Sequence, residues 1–126
     1  MKSKEYRYGE FLIKETESEN PNDSHSTKAL HLKFFKNYDY IGEIYISGAD
    51  IDDGFIYNFE VEEKFRGQGY GRKILEYVLG HFIISELTVD VDNIRAINLY
   101  KSLGFKIKKK IANGTEYWMI YTKNKK

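Results

Sequence analysis

The chain of 126 residues contains no cysteine and a single proline. Without cysteine there is no disulfide, no thiol nucleophile and no thiolate-bound zinc. No apolar run is long enough to cross a bilayer. The start, Met1-Lys2-Ser3-Lys4-Glu5-Tyr6, lacks the apolar segment of a secretory signal. A cytoplasmic protein with no membrane partner is the expectation. An excess of either charge is also missing: 20 basic and 19 acidic residues leave a net charge of +1. That removes a global pull toward nucleic acid. The three histidines, His25, His31 and His81, have no metal-ligand spacing, so no metal is expected. No internal repeat is visible.

What is present describes a folded domain. Hydrophobic residues make up 41% and aromatics 16%, well above disordered composition. The length fits one domain over residues 1–126, able to bury roughly two-thirds of its unfolded surface. Residues 6–15 read as a strand around Phe11-Leu12-Ile13. Residues 16–28 are polar and read as a loop. Leu30, Leu32 and Phe34 alternate with polar neighbours, Asn37-Tyr38-Asp39 supplies turn residues, and Ile41 to Ile46 returns, so residues 29–47 read as a hairpin. Residues 55–61 form a strong strand pattern. After Gly71 the period becomes helical, with Ile74, Leu75, Val78, Leu79 and Phe82 on one face. Residues 87–91 read as a strand. Asp92 or Asn93 can cap a second helix whose buried stripe is Ala96, Leu99, Tyr100 and Leu103, ended by Gly104. Two strands then flank Asn113-Gly114, a two-residue hairpin signal, and the tail from Lys123 is expected to fray. The order β-ββ-β-α-β-α-β-β predicts a mixed α/β sheet, antiparallel at both ends, with a parallel pair where the helix crosses over.

The stretch Arg66-Gly67-Gln68-Gly69-Tyr70-Gly71-Arg72 stands between a strand and a helix, with glycine at alternate positions. Glycine lets backbone come close and adopt positive φ. A turn that opens a helix presents free N–H groups to an anion. A P-loop needs Gly, four residues, then Gly-Lys-Ser/Thr, and Gly71-Arg72-Lys73 fails that test. A dinucleotide turn needs glycines at i, i+2 and i+5, and Arg72 or Ile74 occupies the third position. The pattern is Arg-x-x-Gly-x-Gly.

Further on, Leu87-x-Val89-x-x-x-Asn93-x-x-Ala96-x-x-Leu99-Tyr100-x-x-Leu103-Gly104-Phe105 resembles the second signature of the GNAT N-acetyltransferase family. The glycine turn resembles that family's acetyl-CoA motif, and the resemblance covers about residues 55–121. It implies a GNAT-like sheet, mostly antiparallel, whose central parallel strands splay apart. It implies acetyl-CoA as co-substrate and an amine as acceptor. The diphosphate would lie on the N–H groups of Arg66, Gly67, Gln68, Gly69, Tyr70 and Gly71, with charge from Arg66 and Arg72. The pantetheine arm would pair with backbone near Phe59 and Val61. The Val61 N–H would polarise the thioester carbonyl. By the same resemblance Tyr100 is the general acid, and Asn93 contacts the pantetheine or positions the helix.

Acetyl transfer needs a neutral amine, donors for the developing oxyanion, and stabilisation of the departing thiolate. Glu60 is the candidate base, with Tyr57 and Asn58 able to hold a water relay. Each assignment has a plainer alternative. A lone tyrosine on an apolar helical face, like Tyr100, reads as core. Glu60 reads equally as a surface carboxylate, and Asn93 as a helix cap alone. Some family members carry a glutamate where Thr88 stands. The family also places two helices between its first two strands, and residues 16–28 have no helical period. The N-terminal helical region is therefore expected to be reduced. The acceptor site is then open to a large amine, or walled by a second copy of the chain in a homodimer. The expected function is N-acetyltransfer from acetyl-CoA to a primary amine. The alternative is a catalytically silent CoA-binding module of the same fold.

Overall fold

The computed structural model describes residues 2–19, 28–48 and 54–122. Eight strands, β1 (Lys2–Tyr8), β2 (Phe11–Glu19), β3 (Lys28–Lys36), β4 (Asp39–Ser47), β5 (Gly54–Val61), β6 (Ile84–Asp90), β7 (Phe105–Ile111) and β8 (Glu116–Tyr121), form one sheet in the order β1-β2-β3-β4-β5-β6-β8-β7. Helix α1 (Tyr70–His81) connects β5 to β6, and α2 (Ile94–Leu103) connects β6 to β7. Every neighbouring pair is antiparallel except β5 and β6. The crossover places these two side by side, as the strand-helix-strand order requires.

Period-two alternation decides which face is buried. Ile13, Leu32, Phe34, Ile44, Ile46, Ile56, Leu87 and Met119 all point to one side and are sealed. Helix α1 covers that side with Tyr70, Ile74, Leu75, Tyr77 and Val78, and α2 with Ile97, Tyr100 and Leu103. Aromatic edges lock the layers: Phe11 meets Tyr70, Phe34 meets Tyr77, and Phe105 meets Tyr100. Neither described helix lies over the opposite face, which carries Lys14, His31, Lys33, Glu43, Tyr45, Asn58, Glu60 and Thr88. The Asn93 side chain accepts from the Ala96 N–H at 3.2 Å, and Gly104 ends α2 with φ 117°, so both terminal signals act as read.

Three expectations need correction. Residues 6–15 are two strands, because Gly9 takes φ 58° and the chain reverses so that Tyr8 pairs with Phe11. The polar run Lys2-Ser3-Lys4-Glu5 hides β1 from any apolar pattern. Residues 16–19 continue β2, and 20–27 lie outside the described residues. The Asn113-Gly114 turn is wider than two residues: Ala112, Asn113 and Gly114 all have positive φ, and Thr115 Oγ1 donates to the Ala112 carbonyl at 2.7 Å. The expected tail, from Lys123 onward, also falls outside the described residues. No described residue before β5 is helical, in line with the reduced N-terminal helical region.

The added hairpin is fastened to α1 by a buried polar chain. Tyr77 Oη donates to Tyr6 Oη at 2.7 Å, and Tyr6 Oη donates to Glu15 Oε1 at 2.8 Å. Burial, then the Tyr77 and Glu15 bonds, push the Tyr6 phenol far above the ordinary tyrosine range. Satisfaction of each buried polar atom is what makes such a chain tolerable in a core.

Candidate functional site

β5 begins paired with β6 through Gly54, Phe55 and Ile56, opposite Ile84, Glu86 and Leu87. Pairing then stops, although β5 runs on to Val61 and β6 to Asp90. The cause lies on the other side of β5. There Ile46 pairs with Ile56 but Tyr45 pairs with Asn58, so Tyr57 is an inserted residue. Such a bulge bends its strand and raises its twist. Beyond it β5 stays with β4, while β6 stays with β8. A V-shaped gap opens between them.

Gly42 on β4 holds β5 in this course. A Cβ there would fall 2.5 Å from the Glu60 carbonyl oxygen, so only glycine permits the approach. Past this point the Glu62 N–H donates to the Ile41 carbonyl at 2.8 Å. Backbone polarity alternates along a strand, so Val61 and Phe59 turn their N–H and C=O groups away from β4 and into the gap. Arg66 Nε donates to the Val61 carbonyl at 2.7 Å.

The chain next makes a 3₁₀ turn, Glu63–Phe65, and crosses Gly67 and Gly69 with φ 79° and 87°. Side chains strongly disfavour these conformations. Nothing lies within 4 Å of a Cβ built on either glycine, so the turn's surface is open. Phe65 packs edge-on to the buried Tyr70 ring, which anchors the turn from below. The first helical bond runs from the Lys73 N–H to the Gly69 carbonyl. This leaves the N–H groups of Tyr70, Gly71 and Arg72 without intrahelical acceptors. No side chain caps them and no acidic residue occupies the first turn, so the positive end of the dipole is uncompensated.

Helix α2 closes the other side. Leu99 Cδ2 would lie 3.5 Å from a Cβ on Gly71, and Tyr100 is only 5% exposed. Burial alone pushes the Tyr100 phenol up to about 12. The result is a cleft of about 530 Å³ that runs from the glycine turn into the V. Of the residues singled out from sequence, it brings together Phe59, Glu60, Val61, Arg66, Gly67, Gly69, Tyr70, Gly71, Arg72, Asn93 and Tyr100. Gln68 is not among its walls and instead donates to the Lys64 carbonyl at 3.2 Å. Phe65, Arg95, Ala96 and Leu99 also line the cleft. Ala96 and Leu99 were legible as an apolar stripe, though not as cleft wall. Among the described residues no group of acidic, histidine or cysteine side chains could hold a metal ion, and no helix is long and apolar enough to cross a membrane.

A splayed parallel pair, an open glycine turn and an uncapped helix start meet in one cleft with unbonded N–H groups at its edge. The chain belongs to the GNAT acetyltransferase family, whose description matches residues 4–105. It is similar to the ribosomal-protein-S18-alanine N-acetyltransferase from Escherichia coli, at 22% identity and TM-score 0.62, over 74% of this chain and 68% of that one. It is similar to Ard1 from Thermoplasma volcanium, at 25% identity and TM-score 0.61, over 72% of this chain and 70% of that one. A third likeness is to the PaiA N-acetyltransferase from Thermoplasma acidophilum in complex with coenzyme A, at 17% identity and TM-score 0.64, over 74% of this chain and 60% of that one. No curated protein matches the chain. The mixed sheet with one parallel pair and two helices is the GNAT fold, and the family assignment makes the chain an acyltransferase that draws its acyl group from an acyl-CoA. The residues present fit that donor. The free N–H groups and uncontacted glycines suit a diphosphate, and the unpaired edge of β5 suits an amide-bearing arm.

Proposed function

We propose that the protein is an N-acetyltransferase that moves an acetyl group from acetyl-CoA to a primary amine bound in the same complex. The observation that carries this reading is the gap beyond Ile56 and Leu87, continuous with the uncapped start of α1. Bound acetyl-CoA would supply a thioester, an acyl group joined to a thiol that leaves readily, with an ordinary pKa of about 8.5. The remaining roles fall to the chain. The N–H groups of Gly69 to Arg72 hold the diphosphate, with Arg66 and Arg72 adding charge-assisted bonds. Gln68, whose amide is engaged with Lys64, contributes through its backbone. The backbone of Phe59 and Val61 pairs with the arm, and the Val61 N–H polarises the reacting carbonyl. To meet phosphate, Arg66 exchanges its bond to the Val61 carbonyl for one to the diphosphate.

Tyr100 reaches the gap from α2, which Asn93 caps. With its phenol near 12 it stays protonated throughout the working range. Full transfer from such a phenol to a thiolate is uphill, so Tyr100 donates a hydrogen bond that stabilises the developing sulfur charge. Glu60 stands exposed at the rim and takes the amine proton through a water held beside Tyr57 and Asn58. The chain acts as a single domain in this scheme.

Calorimetry with acetyl-CoA, followed by thiol release in the presence of an amine panel, tests the reading. Micromolar binding and amine-dependent thiol release are expected, with release reduced about 10- to 100-fold in Glu60→Gln. Absence of acetyl-CoA binding would overturn it. Tight binding with no turnover of any amine would leave the silent CoA-binding module in its place.

A further inference from the structure

Arg72 joins the two helices that wall the cleft. It is the third residue of α1, lines the cleft and reaches across to α2, where its Nη2 donates to Ser102 Oγ at 2.5 Å. Ser102 Oγ in turn donates to the Leu99 carbonyl at 2.7 Å. A serine hydroxyl has a single proton to give. With that proton on Leu99, the oxygen faces Arg72 only as an acceptor, so the direction of the bond is fixed. The bond back to the preceding turn of α2 also holds the Ser102 side chain in place. Leu99 is itself cleft wall, and its Cδ2 would lie 3.5 Å from a Cβ on Gly71. Ser102 therefore ties Arg72 to the residue that packs α2 against the start of α1.

The other partner of Arg72 is weak. Glu76 Oε2 lies 3.9 Å from Arg72 Nη1, one turn along α1, and both side chains are about half exposed. Such a pair contributes little, and it would draw the guanidinium along α1, away from the helix start. Ser102 holds it back. Arg66 makes a contrast. Its bond goes to the Val61 carbonyl, which it must release to meet an anion. Arg72 spends one of several N–H donors on a hydroxyl that is exposed and outside the cleft walls. Its remaining donors can meet an anion without giving up that bond.

We propose that Ser102 is a positioning residue for the acyl donor. It holds the Arg72 guanidinium in the cleft wall, so that the charge is in place before the diphosphate arrives. This rests on the acetyltransferase reading above. A long arginine side chain loses rotamer freedom when it is fixed. A bond that already fixes it in the free protein removes that cost from binding. The effect is confined to the anionic end of the donor. In the reading above the thioester is met by Val61, at the other end of the arm, so the chemical step does not sense Ser102.

The test compares Ser102→Ala with Ser102→Thr, which keeps a hydroxyl at the same place. Calorimetry reads acetyl-CoA binding. Thiol release reads turnover of acetyl-CoA and of acetyl-pantetheine, a donor that lacks the diphosphate. Ser102→Ala is expected to bind acetyl-CoA about 3- to 10-fold more weakly, with a matching rise in KM and an unchanged kcat. Its use of acetyl-pantetheine should not change, and Ser102→Thr should bind acetyl-CoA as the unsubstituted protein does. Arg72→Gln should lose more affinity than Ser102→Ala, and the double variant should lose no more than Arg72→Gln, because the two residues act as a unit. Undiminished acetyl-CoA affinity in Ser102→Ala or in Arg72→Gln, an equal loss with acetyl-pantetheine, or losses that add in the double variant overturn the inference. If no amine is turned over, the calorimetric cycle decides alone. If the unsubstituted protein binds acetyl-CoA and Ser102→Ala matches it, only this inference fails. If the unsubstituted protein does not bind acetyl-CoA, the acetyltransferase reading fails and this inference with it.

Discussion

On the helix side of the gap the polar groups are largely backbone, namely N–H groups at the start of α1 and the turned-in groups of Phe59 and Val61 beside bare glycines, with the side chains of Arg66, Arg72 and Arg95 around them. On the open side they are side chains, namely Tyr45, Tyr57, Glu43 and Glu60, standing on a flat sheet. Backbone groups are positioned by secondary structure and change little with sequence. Side chains on an open face change with every substitution. A fold that offers backbone groups on one side of a gap and side chains on the other can keep one surface while altering the other. The same division explains why the glycine turn is written in a compact motif and the opposite face is not.

The largest expected effect breaks the donor side alone. Gly69→Glu places a side chain at φ 87° and a negative charge among the free N–H groups. Acetyl-CoA affinity should fall by about 100-fold or more, with binding of the amine acceptor preserved in calorimetry. Equal loss of both partners would mean that the two sides are not separable. Tyr100→Phe should lower kcat about 10- to 100-fold with little change in either KM. A change confined to KM would place Tyr100 in binding and not in the chemical step. Gly42→Ala acts on both sides at once, because the new Cβ meets the Glu60 carbonyl oxygen at 2.5 Å. It should destabilise the fold by about 1–3 kcal/mol in denaturant titration and weaken donor and acceptor together.

Two further effects are smaller. Burial raises the Tyr100 pKa from 10.0 to about 12. A folded-state pKa above the unfolded one gives stability that is complete below pH 10 and lost as pH rises toward 12. Alkaline denaturation followed at the tyrosinate band should therefore shift to higher pH in Tyr100→Phe, once its lower starting stability is subtracted. No rate loss from Tyr100 ionisation should occur below pH 10. Finally, Tyr38 is fully exposed at φ 71° in the β3–β4 hairpin. Tyr38→Gly should raise stability by about 1 kcal/mol and leave acetyl-CoA binding as it was.

Legibility followed locality. The glycine turn, the Asn93 cap and the Gly104 stop are signals within one turn or one element, and all three took their expected form. In the α2 stripe Tyr100 and Leu103 are buried as read, but Ile97 joins them while Ala96 and Leu99 are half-buried on the cleft wall. β1 was missed because its residues are mostly charged and its partner, β2, supplies the burial. The Asn113-Gly114 turn was misjudged because Ala112 also takes positive φ, which its residue type does not announce. Gly42 carries no signal of its own along the chain. Its reason is a contact with Glu60 on the next strand, invisible along the chain. The bulge at Tyr57 is a mismatch between two ladders and has no signature within β5 itself.

The order of strands and helices from β3 onward, the parallel pair and the glycine turn follow from local pattern and chain connectivity, so the sequence alone determined them. The opening of the V, the direction of the Phe59 and Val61 backbone and the gathering of His31, Glu43, Tyr45, Tyr57 and Glu60 on the face that neither described helix covers were decided by tertiary structure. They depend on register between strands, and register is a relation between distant segments that no single stretch of residues contains.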